Sequence, residues 1–307
     1  MIYTLTLNPA LDYTVFAEGL TVGAVNRAGG FSISYGGKGI NVSAMLKNLN
    51  VSSVALGFIA GFTGNELEKL LLNEGINFDF IKLKSGITRI NVKIREKSET
   101  DINVQGPCAS ADELNLLYKK LNKLEHGDWL VLSGSIPSGM PSDIYARLSE
   151  FAEKRGARVI IDAVGRALTD SLYTKPFLIK PNREELGDIF GEEISGISDA
   201  FFHAEKLKAE GAKNVMITLG GEGSALICEN GERLYCSAAD GAVLNTVGAG
   251  DSAVAGFIAG YSENGCYKNA LKLSAAAGGA TAFSNGIGNA ELVNRLRSSI
   301  SVKEYAQ

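Results

Sequence analysis

Short apolar runs alternate with amphipathic helical stretches along most of the chain. The apolar runs that predict buried strands lie at residues 54–59, 129–132, 158–161, 177–179 and 214–218. The stretches between them that predict helices lie at residues 64–73, 111–124, 142–155 and 200–210. Apolar strands that alternate with helices are typical of a mostly parallel sheet covered by helices on both faces. The pattern therefore predicts an α/β fold, in which ligands bind beyond the carboxyl ends of the strands.

Two regions, around residues 10–36 and 87–106, depart from this alternation because they predict strands without crossover helices. In the second region apolar and polar side chains alternate, so each kind faces its own side of the strand. The polar side carries Arg89, Asn91, Lys93 and Arg95. Such a two-faced strand predicts a small β-sheet lid, and an edge hairpin of the main sheet is the alternative.

No internal repeat or linker divides the chain, so we expect a single domain formed by residues 1–307. Its last part, residues 268–300, predicts helices with a break at the glycines of 286–288. The small lid is expected to be a part of this domain, formed by the two irregular regions.

Composition and charge narrow the function classes. Of the 307 residues, 45% are hydrophobic and 21% are charged, which is an ordinary globular balance. The formal net charge of −4 argues against a general nucleic-acid binder. No apolar run reaches membrane-spanning length, and the first residues do not resemble a signal peptide. We therefore expect a cytoplasmic protein with neither a nucleic-acid nor a membrane partner.

Cysteine and histidine are too few and too scattered to predict a metal site or His-based catalysis. The cysteines are Cys108, Cys228, Cys236 and Cys266. They form no C-x-x-C pair, and we expect them to be reduced thiols. The histidines, His126 and His203, lie outside any glycine-rich or acidic cluster, and we expect both at the surface.

The stretch Asn-Thr-Val-Gly-Ala-Gly-Asp-Ser at 245–252 carries the clearest chemical signal. Gly248, Ala249 and Gly250 let the backbone close around a ligand just before a predicted helix, whose free N–H groups attract anions. Asp251 in the first helical turn is placed to accept a proton from an attacking hydroxyl. An anion hole beside a general base is what a kinase needs. The alternative is a glycine-rich loop whose Asp only favours the helix dipole.

A second glycine cluster, Gly-Gly-Lys-Gly-Ile-Asn at 36–41, also precedes a predicted helix. Its spacing excludes a Walker P-loop. Gly37 would let a sugar approach the backbone, while Lys38 and Asn41 reach its polar groups; a tight turn at a helix start is the alternative. Asp12 directly follows the first strand, where its carboxylate can accept hydrogen bonds from sugar hydroxyls or remain a solvated turn residue.

Polar residues after the strand at 177–179 favour nucleotide binding. Lys180 and Asn182 can meet nucleotide phosphates, and Glu185 can organise Mg²⁺ through water molecules. Asn182 and Glu185 are also typical of a helix capping box, and both interpretations can hold together.

Two further turns follow strands. Thr218, Gly220 and Gly223 lie in a glycine turn that can cradle ATP, although a plain hairpin turn has the same composition. The glycine spacing is not that of a dinucleotide site. Ser135 follows the strand at 129–132 and can offer its hydroxyl to a substrate; the turn lacks the G-x-S-x-G pattern of a hydrolase nucleophile.

Together and in this order, these segments resemble the ribokinase-like sugar kinases, and among them the phosphofructokinase B branch. Residues 245–252 are similar to the C-terminal signature of the branch, and residues 36–42 are similar to its N-terminal one. The other stretches that carry the resemblance are 6–12, 25–27, 88–93 and 180–186. The resemblance extends from about residue 1 to residue 290, which is nearly the whole chain.

The resemblance implies transfer of the γ-phosphoryl group of ATP to a sugar hydroxyl, with Mg²⁺, by an α/β core that carries a β-lid. It makes Asp251 the catalytic base and the three residues before it the anion hole. The positions that it matches to sugar and sugar-phosphate binding are Asp12, Gly37, Lys38, Asn41, Arg89 and Lys93. The positions that it matches to the nucleotide and Mg²⁺ are Lys180, Asn182, Glu185, Thr218, Gly220, Gly223 and Gly250.

Within the branch, the chain resembles the subgroup that phosphorylates ketohexose phosphates. We therefore expect fructose 1-phosphate as the acceptor and fructose 1,6-bisphosphate as the product, with tagatose 6-phosphate as the alternative acceptor. The family also implies a homodimer formed through the lids. Tyr35 stands where a small residue is common, and Asp162 lacks the Ser that often follows it. A non-catalytic sugar-phosphate sensor is the alternative from another class, but it would be expected to lose the base or the anion hole.

Overall fold

Ten strands form one large sheet in the computed structural model, which describes residues 1–17, 19–96 and 99–305. The strands of the described chain are β1 (Ile2–Thr6), β2 (Ala10–Ala17), β3 (Ala28–Gly36), β4 (Val54–Ile59), β5 (Ile81–Lys82), β6 (Arg89–Arg95), β7 (Glu99–Ile102), β8 (Trp129–Ser133), β9 (Arg158–Asp162), β10 (Leu178–Ile179), β11 (Asn214–Thr218), β12 (Ser224–Ile227), β13 (Arg233–Cys236) and β14 (Val302–Glu304). The order in the large sheet is β14-β13-β12-β11-β10-β9-β8-β1-β4-β5. Neighbours from β11 to β5 are parallel, and β12 to β14 extend the sheet in antiparallel fashion. The predicted mostly parallel α/β sheet is confirmed.

The other four strands form a separate sheet in the order β3-β2-β6-β7, here called the small sheet. The alternative of an edge hairpin on the main sheet is therefore wrong. One face of the small sheet carries Leu11, Tyr35 and Ile90, which pack on a core cluster beneath it. The opposite face carries Asp12 and Asn91, which are paired across β2 and β6. The alternation of apolar and polar residues in the sequence thus becomes an anchoring face and a polar face.

Helices cover both faces of the large sheet. The helices of the described chain are α1 (Lys38–Asn48), α2 (Gly61–Asn73), α3 (Ala111–Leu121), α4 (Ile144–Glu153), α5 (Arg166–Thr169), α6 (Arg183–Phe190), α7 (Ile197–Ala209), α8 (Ala249–Asn264), α9 (Tyr267–Ala282) and α10 (Ala290–Ser299). Short 3₁₀ turns occur at Leu172–Thr174 and Gly220–Glu222. In the described residues, no helix combines the length and the apolar character needed to cross a bilayer.

Alternate residues of each central strand enter different cores. In β8, Leu130 and Leu132 belong to the core cluster that contains side chains of α3, α4 and α7, whereas Trp129 and Val131 belong to the cluster that contains side chains of α1, α8 and α9. This two-sided burial explains why the strand is apolar throughout, since neither face meets water. With both faces covered, the carboxyl ends of the strands remain open for a site.

Two expectations from the sequence need correction. The helix expected at 111–124 ends at Leu121, because the chain turns there while Leu124 still packs into the core. His203 is not at the surface: it is only 3% exposed, and its ring nitrogens contact the Asp199 carbonyl and the Glu192 carboxylate. Its polar atoms find partners inside the protein, which the sequence pattern did not reveal.

Candidate active site

Loops at the carboxyl ends of β1, β8, β9, β10 and β11 surround a cavity of about 500 Å³, which we name the central cavity. The predicted site residues that line it are Asp12, Gly37, Lys38, Asn41, Arg89, Ser135, Lys180, Asn182, Glu185, Thr218, Gly248, Gly250 and Asp251. Residues from far apart in the sequence therefore meet where the rule for parallel sheets places a ligand.

Two further cavities adjoin the central one. A glycine-lined cavity of about 620 Å³ contains Gly220, Gly223 and Ala249, and it shares Asn182, Thr218 and Gly250 with the central cavity. On the other side lies a cleft of about 890 Å³ between the small sheet and the core, which we name the rear cleft. Of the predicted site residues, the rear cleft contains Asp12, Asn41 and Lys93. Every predicted site residue thus borders one of three adjoining cavities.

Asp251 lies in the first turn of α8, where the sequence placed it. The chain enters the helix through Gly248, whose φ of 80° is a left-handed conformation that favours glycine. Asn41 donates a hydrogen bond of 2.8 Å from Nδ2 to Oδ2 of Asp251. Burial, reinforced by the nearby charge of Asp162, raises the pKa of the Asp251 carboxyl to about 6. A carboxylate with this pKa is ionised at neutral pH and is still a useful base.

The backbone before α8 offers amides to the cavities. The N–H of Ala249 donates to the carbonyl of Thr246 at 3.2 Å, so this amide is already engaged. Among the described residues, the amides of Gly248 and Gly250 have no hydrogen-bond partner. A side chain at Gly250 would bring its Cβ to 3.2 Å from Nζ of Lys180. Glycine here therefore lets a lysine ammonium lie against the helix start, and both features attract an anion.

Two lysines share one buried carboxylate at the floor of the central cavity. Nζ of Lys38 and Nζ of Lys180 lie 3.2 and 3.4 Å from Oδ1 of Asp162. Burial would raise the pKa of Asp162, but the two ammonium groups outweigh it and hold the pKa below its usual range. Burial likewise opposes the charge of Lys38, but Asp162, Asp251 and Glu185 outweigh it and raise the pKa of the ammonium. Lys38 and Asp162 are therefore both charged, and the cluster brings the side chains of two lysines to one wall of the central cavity.

Glu185 both caps a helix and faces the cavity. The amide of Asn182 donates to Oε2 of Glu185, and the amide of Glu185 donates to Oδ1 of Asn182, which is the predicted capping box of α6. Oε1 of Glu185 lies 3.8 Å from Nζ of Lys38. The described residues contain no group of three or more potential metal ligands. A single carboxylate oxygen at the cavity fits Mg²⁺ held mostly by water and phosphate oxygens.

Arg89 is held at the opposite wall of the central cavity by backbone carbonyls. Its Nε donates to the carbonyl of Asn8 at 3.2 Å and its Nη1 donates to the carbonyl of Val104 at 3.3 Å. The side chain of Asn8 donates to Oγ of Ser135 at 3.2 Å. These contacts bring a guanidinium and a hydroxyl to the same wall, where they can bind an anionic group.

Lys93 does not reach this wall. Its Nζ lies 2.8 Å from Oδ2 of Asp12, and its side chain borders the rear cleft instead of the central cavity. The sequence placed Arg89 and Lys93 on the same strand face, but the structure gives their charged groups different partners.

The sequence gave no role to Asp162, Asn8 and Asn91, which also border the central cavity. Asp162 and Asn8 lie at or just beyond the ends of β9 and β1, so the rule for parallel strands could have identified them. Asn91 was placed on the polar side of its strand but was given no role. Only the strand pairing shows which residue it faces.

A family model described as pfkB family carbohydrate kinase matches residues 5–293 of the chain. The chain belongs to this family. It is therefore a kinase that transfers a phosphoryl group to an alcohol group of a carbohydrate, and kinases of this family use ATP as a substrate. The prediction of a sugar kinase of the phosphofructokinase B branch is confirmed.

Relatives of this pfkB kinase match it over nearly their whole length. The chain is 43% identical to 1-phosphofructokinase of Bacillus subtilis (strain 168), with 98% of this chain and 99% of the relative covered. It is 39% identical to D-tagatose-1-phosphate kinase of Bacillus licheniformis, with coverage of 98% and 99%.

Solved structures match the fold. The tetrameric inhibited form of phosphofructokinase-2 from Escherichia coli aligns with a TM-score of 0.90 at 28% identity, covering 97% of this chain and 98% of that one. Ribokinase of Arabidopsis thaliana, solved with ribose and ATP, aligns with a TM-score of 0.78 at 22% identity, covering 96% and 98%. The second match shows the fold alone, and it confirms the predicted ribokinase-like architecture.

Proposed function

We propose that this pfkB kinase transfers the γ-phosphoryl group of ATP to the C6 hydroxyl of fructose 1-phosphate and forms fructose 1,6-bisphosphate. The observation that carries the chemistry is the position of Asp251 in the central cavity, directly beside Gly250, which borders both the central and the glycine-lined cavity. An acceptor in one cavity and ATP in the other would meet beside a base and an anion hole. The full-length relatives support the choice of acceptor, since both are named for ketohexoses that carry their phosphate on C1.

In the proposed reaction, Asp251 accepts the proton of the C6 hydroxyl while that oxygen attacks the γ-phosphorus in line with the leaving ADP oxygen. Charge on the transferred group is stabilised by the amides of Gly248 and Gly250 and by Lys180. The amide of Ala249 already donates to the carbonyl of Thr246. Ala249 therefore contributes to the anion hole only by holding the backbone turn between Gly248 and Gly250. Most of the catalytic effect then comes from positioning and fixed charges, as phosphoryl transfer requires.

We place ATP in the glycine-lined cavity. Asn182 and Thr218 border both cavities and would meet the phosphates, while Gly220 and Gly223 form the turn between β11 and β12. The turn joins two antiparallel strands, so the alternative of a plain hairpin turn is also correct. The same turn lines the glycine-lined cavity. Glu185 would hold Mg²⁺ through water. When bound, Mg²⁺ neutralises charge on the phosphate oxygens.

We place the sugar phosphate in the central cavity. Asp12, Lys38 and Asn41 would contact the ring hydroxyls, with Gly37 allowing a close approach of the backbone. Arg89 and Ser135 would bind the phosphate, because their wall offers a guanidinium and a hydroxyl to an anion.

We infer that the small sheet is the lid of a single kinase domain and that it excludes water from the closed site. Phe16, Phe31 and Ile33 on this sheet are 48%, 64% and 43% exposed, which supports a homodimer formed through paired lids. Light scattering on the purified protein would decide between a dimer and a monomer. A cytoplasmic location remains a prediction.

The pH dependence of kcat/KM should report Asp251. Its pKa is raised to about 6, so the carboxyl becomes protonated and cannot act as a base as the pH falls through this value. We expect kcat/KM for fructose 1-phosphate to be level near pH 7.5 and to fall about tenfold per pH unit below pH 6. Unfolding curves at each pH would separate this effect from acid denaturation. A level profile down to pH 5 in a folded enzyme would contradict Asp251 as the base.

Substrate preference tests the proposed function. An ADP-release assay with Mg-ATP should compare fructose 1-phosphate, tagatose 1-phosphate, tagatose 6-phosphate and fructose 6-phosphate. We expect kcat/KM for fructose 1-phosphate to exceed the others by about tenfold or more, about 1.4 kcal/mol in transition-state binding. Tagatose 1-phosphate is the closest competitor because it differs only in configuration at C4. If the enzyme prefers either tagatose phosphate, that sugar is the acceptor and the proposed mechanism is unchanged. If none of the four sugar phosphates is turned over, a non-catalytic sugar-phosphate sensor is favoured.

A further inference from the structure

Both carboxylate oxygens of Asp12 are engaged by side chains of β6. Nζ of Lys93 lies 2.8 Å from Oδ2, and Nδ2 of Asn91 donates to Oδ1 at 2.9 Å. The side chains of Lys93 and Asp12 are only 12% and 11% exposed, and Asn91 is buried. Buried groups that are paired in this way have little freedom to reorient, since a lost partner would leave an uncompensated charge.

Strand register explains why these residues meet. β2 and β6 are parallel neighbours in which Asp12 pairs with Asn91 and Thr14 pairs with Lys93. Arg89, Asn91 and Lys93 alternate along β6 and therefore share one face. Arg89 extends toward the central cavity, whereas Lys93 reaches back along the face to Asp12.

Gly36 closes the third side of the carboxylate. An added Cβ at this position would lie 2.6 Å from Oδ1 of Asp12 and 2.9 Å from its Cγ. Such distances are too short for real atoms, so any larger residue at 36 must displace the carboxylate. The remaining open side of Asp12 borders the central cavity and the rear cleft.

We propose that Asn91 and Lys93 are positioning residues that aim the carboxylate of Asp12 at the sugar hydroxyls. Lys93 acts through Asp12 and makes no contact with the sugar phosphate. This assignment rests on the proposed function, in which Asp12 binds the acceptor, and it gives Lys93 a different role from Arg89. A fixed carboxylate accepts hydrogen bonds from hydroxyls in one arrangement without reorganising when the substrate binds.

A double-mutant cycle separates the two roles of Lys93. We expect Lys93→Met to lower kcat/KM for fructose 1-phosphate by about tenfold or more, mainly through KM for the sugar. In an Asp12→Asn background, where the ion pair no longer exists, the same change should cost at most about twofold. Arg89→Ala should keep most of its effect in that background, because it acts on the phosphate. An equal loss from Lys93→Met in both backgrounds would overturn the proposal.

Two further variants keep the test independent of folding defects. Lys93→Arg retains a cation for Asp12 and should recover most of the activity. Gly36→Ala leaves every charge in place but displaces the carboxylate, so it should raise KM for the sugar without raising KM for ATP. If a folded Gly36→Ala protein, checked by thermal unfolding, has normal sugar kinetics, the orientation of Asp12 does not matter and the proposal is wrong. The cycle uses whichever sugar phosphate the unmodified enzyme turns over fastest, so a different acceptor would contradict only the proposed function.

Discussion

Replacing Asp251 with Asn is expected to lower kcat by at least about 100-fold while the protein remains folded, which is the scale of lost general-base catalysis. The amide keeps the size of the carboxyl group and can still accept the hydrogen bond that Asn41 donates. It cannot accept a proton from the acceptor hydroxyl, so the change affects the chemical step. Steady-state kinetics with saturating ATP and sugar phosphate measure the effect. Turnover within about threefold of the unmodified enzyme would exclude Asp251 as the base.

A matched control is available in another helix. Asp199 occupies the same place in the first turn of α7 as Asp251 does in α8, but it accepts hydrogen bonds from Ser195 and lies away from the cavities. Asp199→Asn should therefore leave kcat unchanged, although it weakens a helix start. If both variants lost turnover equally, a structural effect of an N-terminal carboxylate would explain the result.

The free energy of unfolding, measured as a function of pH, provides an independent test of the Asp251→Asn variant. The pKa of the Asp251 carboxyl is raised to about 6 in the folded state, which therefore favours the protonated form. The stability that this protonated form provides is lost as the pH rises through about 6. Above it, the folded protein bears the cost of a buried charge, which the neutral amide of the variant avoids. The Asp251→Asn protein should therefore be more stable than the unmodified one at pH 8, by an amount on the order of 1–3 kcal/mol, and the gain should shrink toward pH 4.

Replacing Arg89 with Ala should raise KM for fructose 1-phosphate by about 10- to 100-fold and change KM for ATP little. A hydrogen bond to a charged group contributes about 1.5–3 kcal/mol, and each 1.4 kcal/mol is a factor of ten. Burial lowers the pKa of the guanidinium, with Asp12 acting in the opposite direction, but an Arg remains protonated at neutral pH. Initial rates with each substrate varied in turn measure both constants.

Two further substitutions in β6 serve as comparisons for the Arg89→Ala variant. Arg89→Lys keeps the charge but loses the planar fork, and we expect an intermediate KM. Arg95→Ala removes a guanidinium six residues further along β6, where Arg95 pairs with Asp101 outside the central cavity, and it should change KM for the sugar little. Equal increases in KM for sugar and ATP in Arg89→Ala would contradict a phosphate-binding role.

Much of the site could be predicted because parallel strands bring their carboxyl ends to one edge. Ser135, Lys180 and Thr218 each lie at or just beyond the end of an apolar run, so their convergence needed no knowledge of distances. Asp12 was expected directly after the first strand or in a solvated turn, and both expectations are wrong, because it is a buried residue within β2 of the small sheet. The anion-binding helix start at Asp251 could also be predicted from local geometry. The first amides of a helix have no partner within the helix, and the glycines before it leave them accessible. These inferences use only local geometry and one general rule of topology.

Partner choice among charged side chains could not be predicted in this way. Lys38 and Lys180 are far apart in the sequence, yet both bind one oxygen of Asp162. Lys93 was expected beside Arg89, but its partner in the structure is Asp12 on the neighbouring strand. A long flexible side chain pairs with whichever opposite charge the packing brings close, and that depends on strand register rather than on spacing along one strand.

The sequence by itself determined the α/β architecture, the family, and the position of a glycine-bounded carboxylate, Asp251, at the start of a helix, and it favoured a separate small sheet. These properties follow from periodicity, from short motifs and from their order along the chain. Only the tertiary structure decided that three cavities adjoin, that Asp162 joins two lysines, and that Lys93 holds Asp12. The physical reason is that electrostatic pairing acts over a few ångströms. Lys38 and Asp162, by contrast, are separated by 124 positions and meet only after the large sheet has formed.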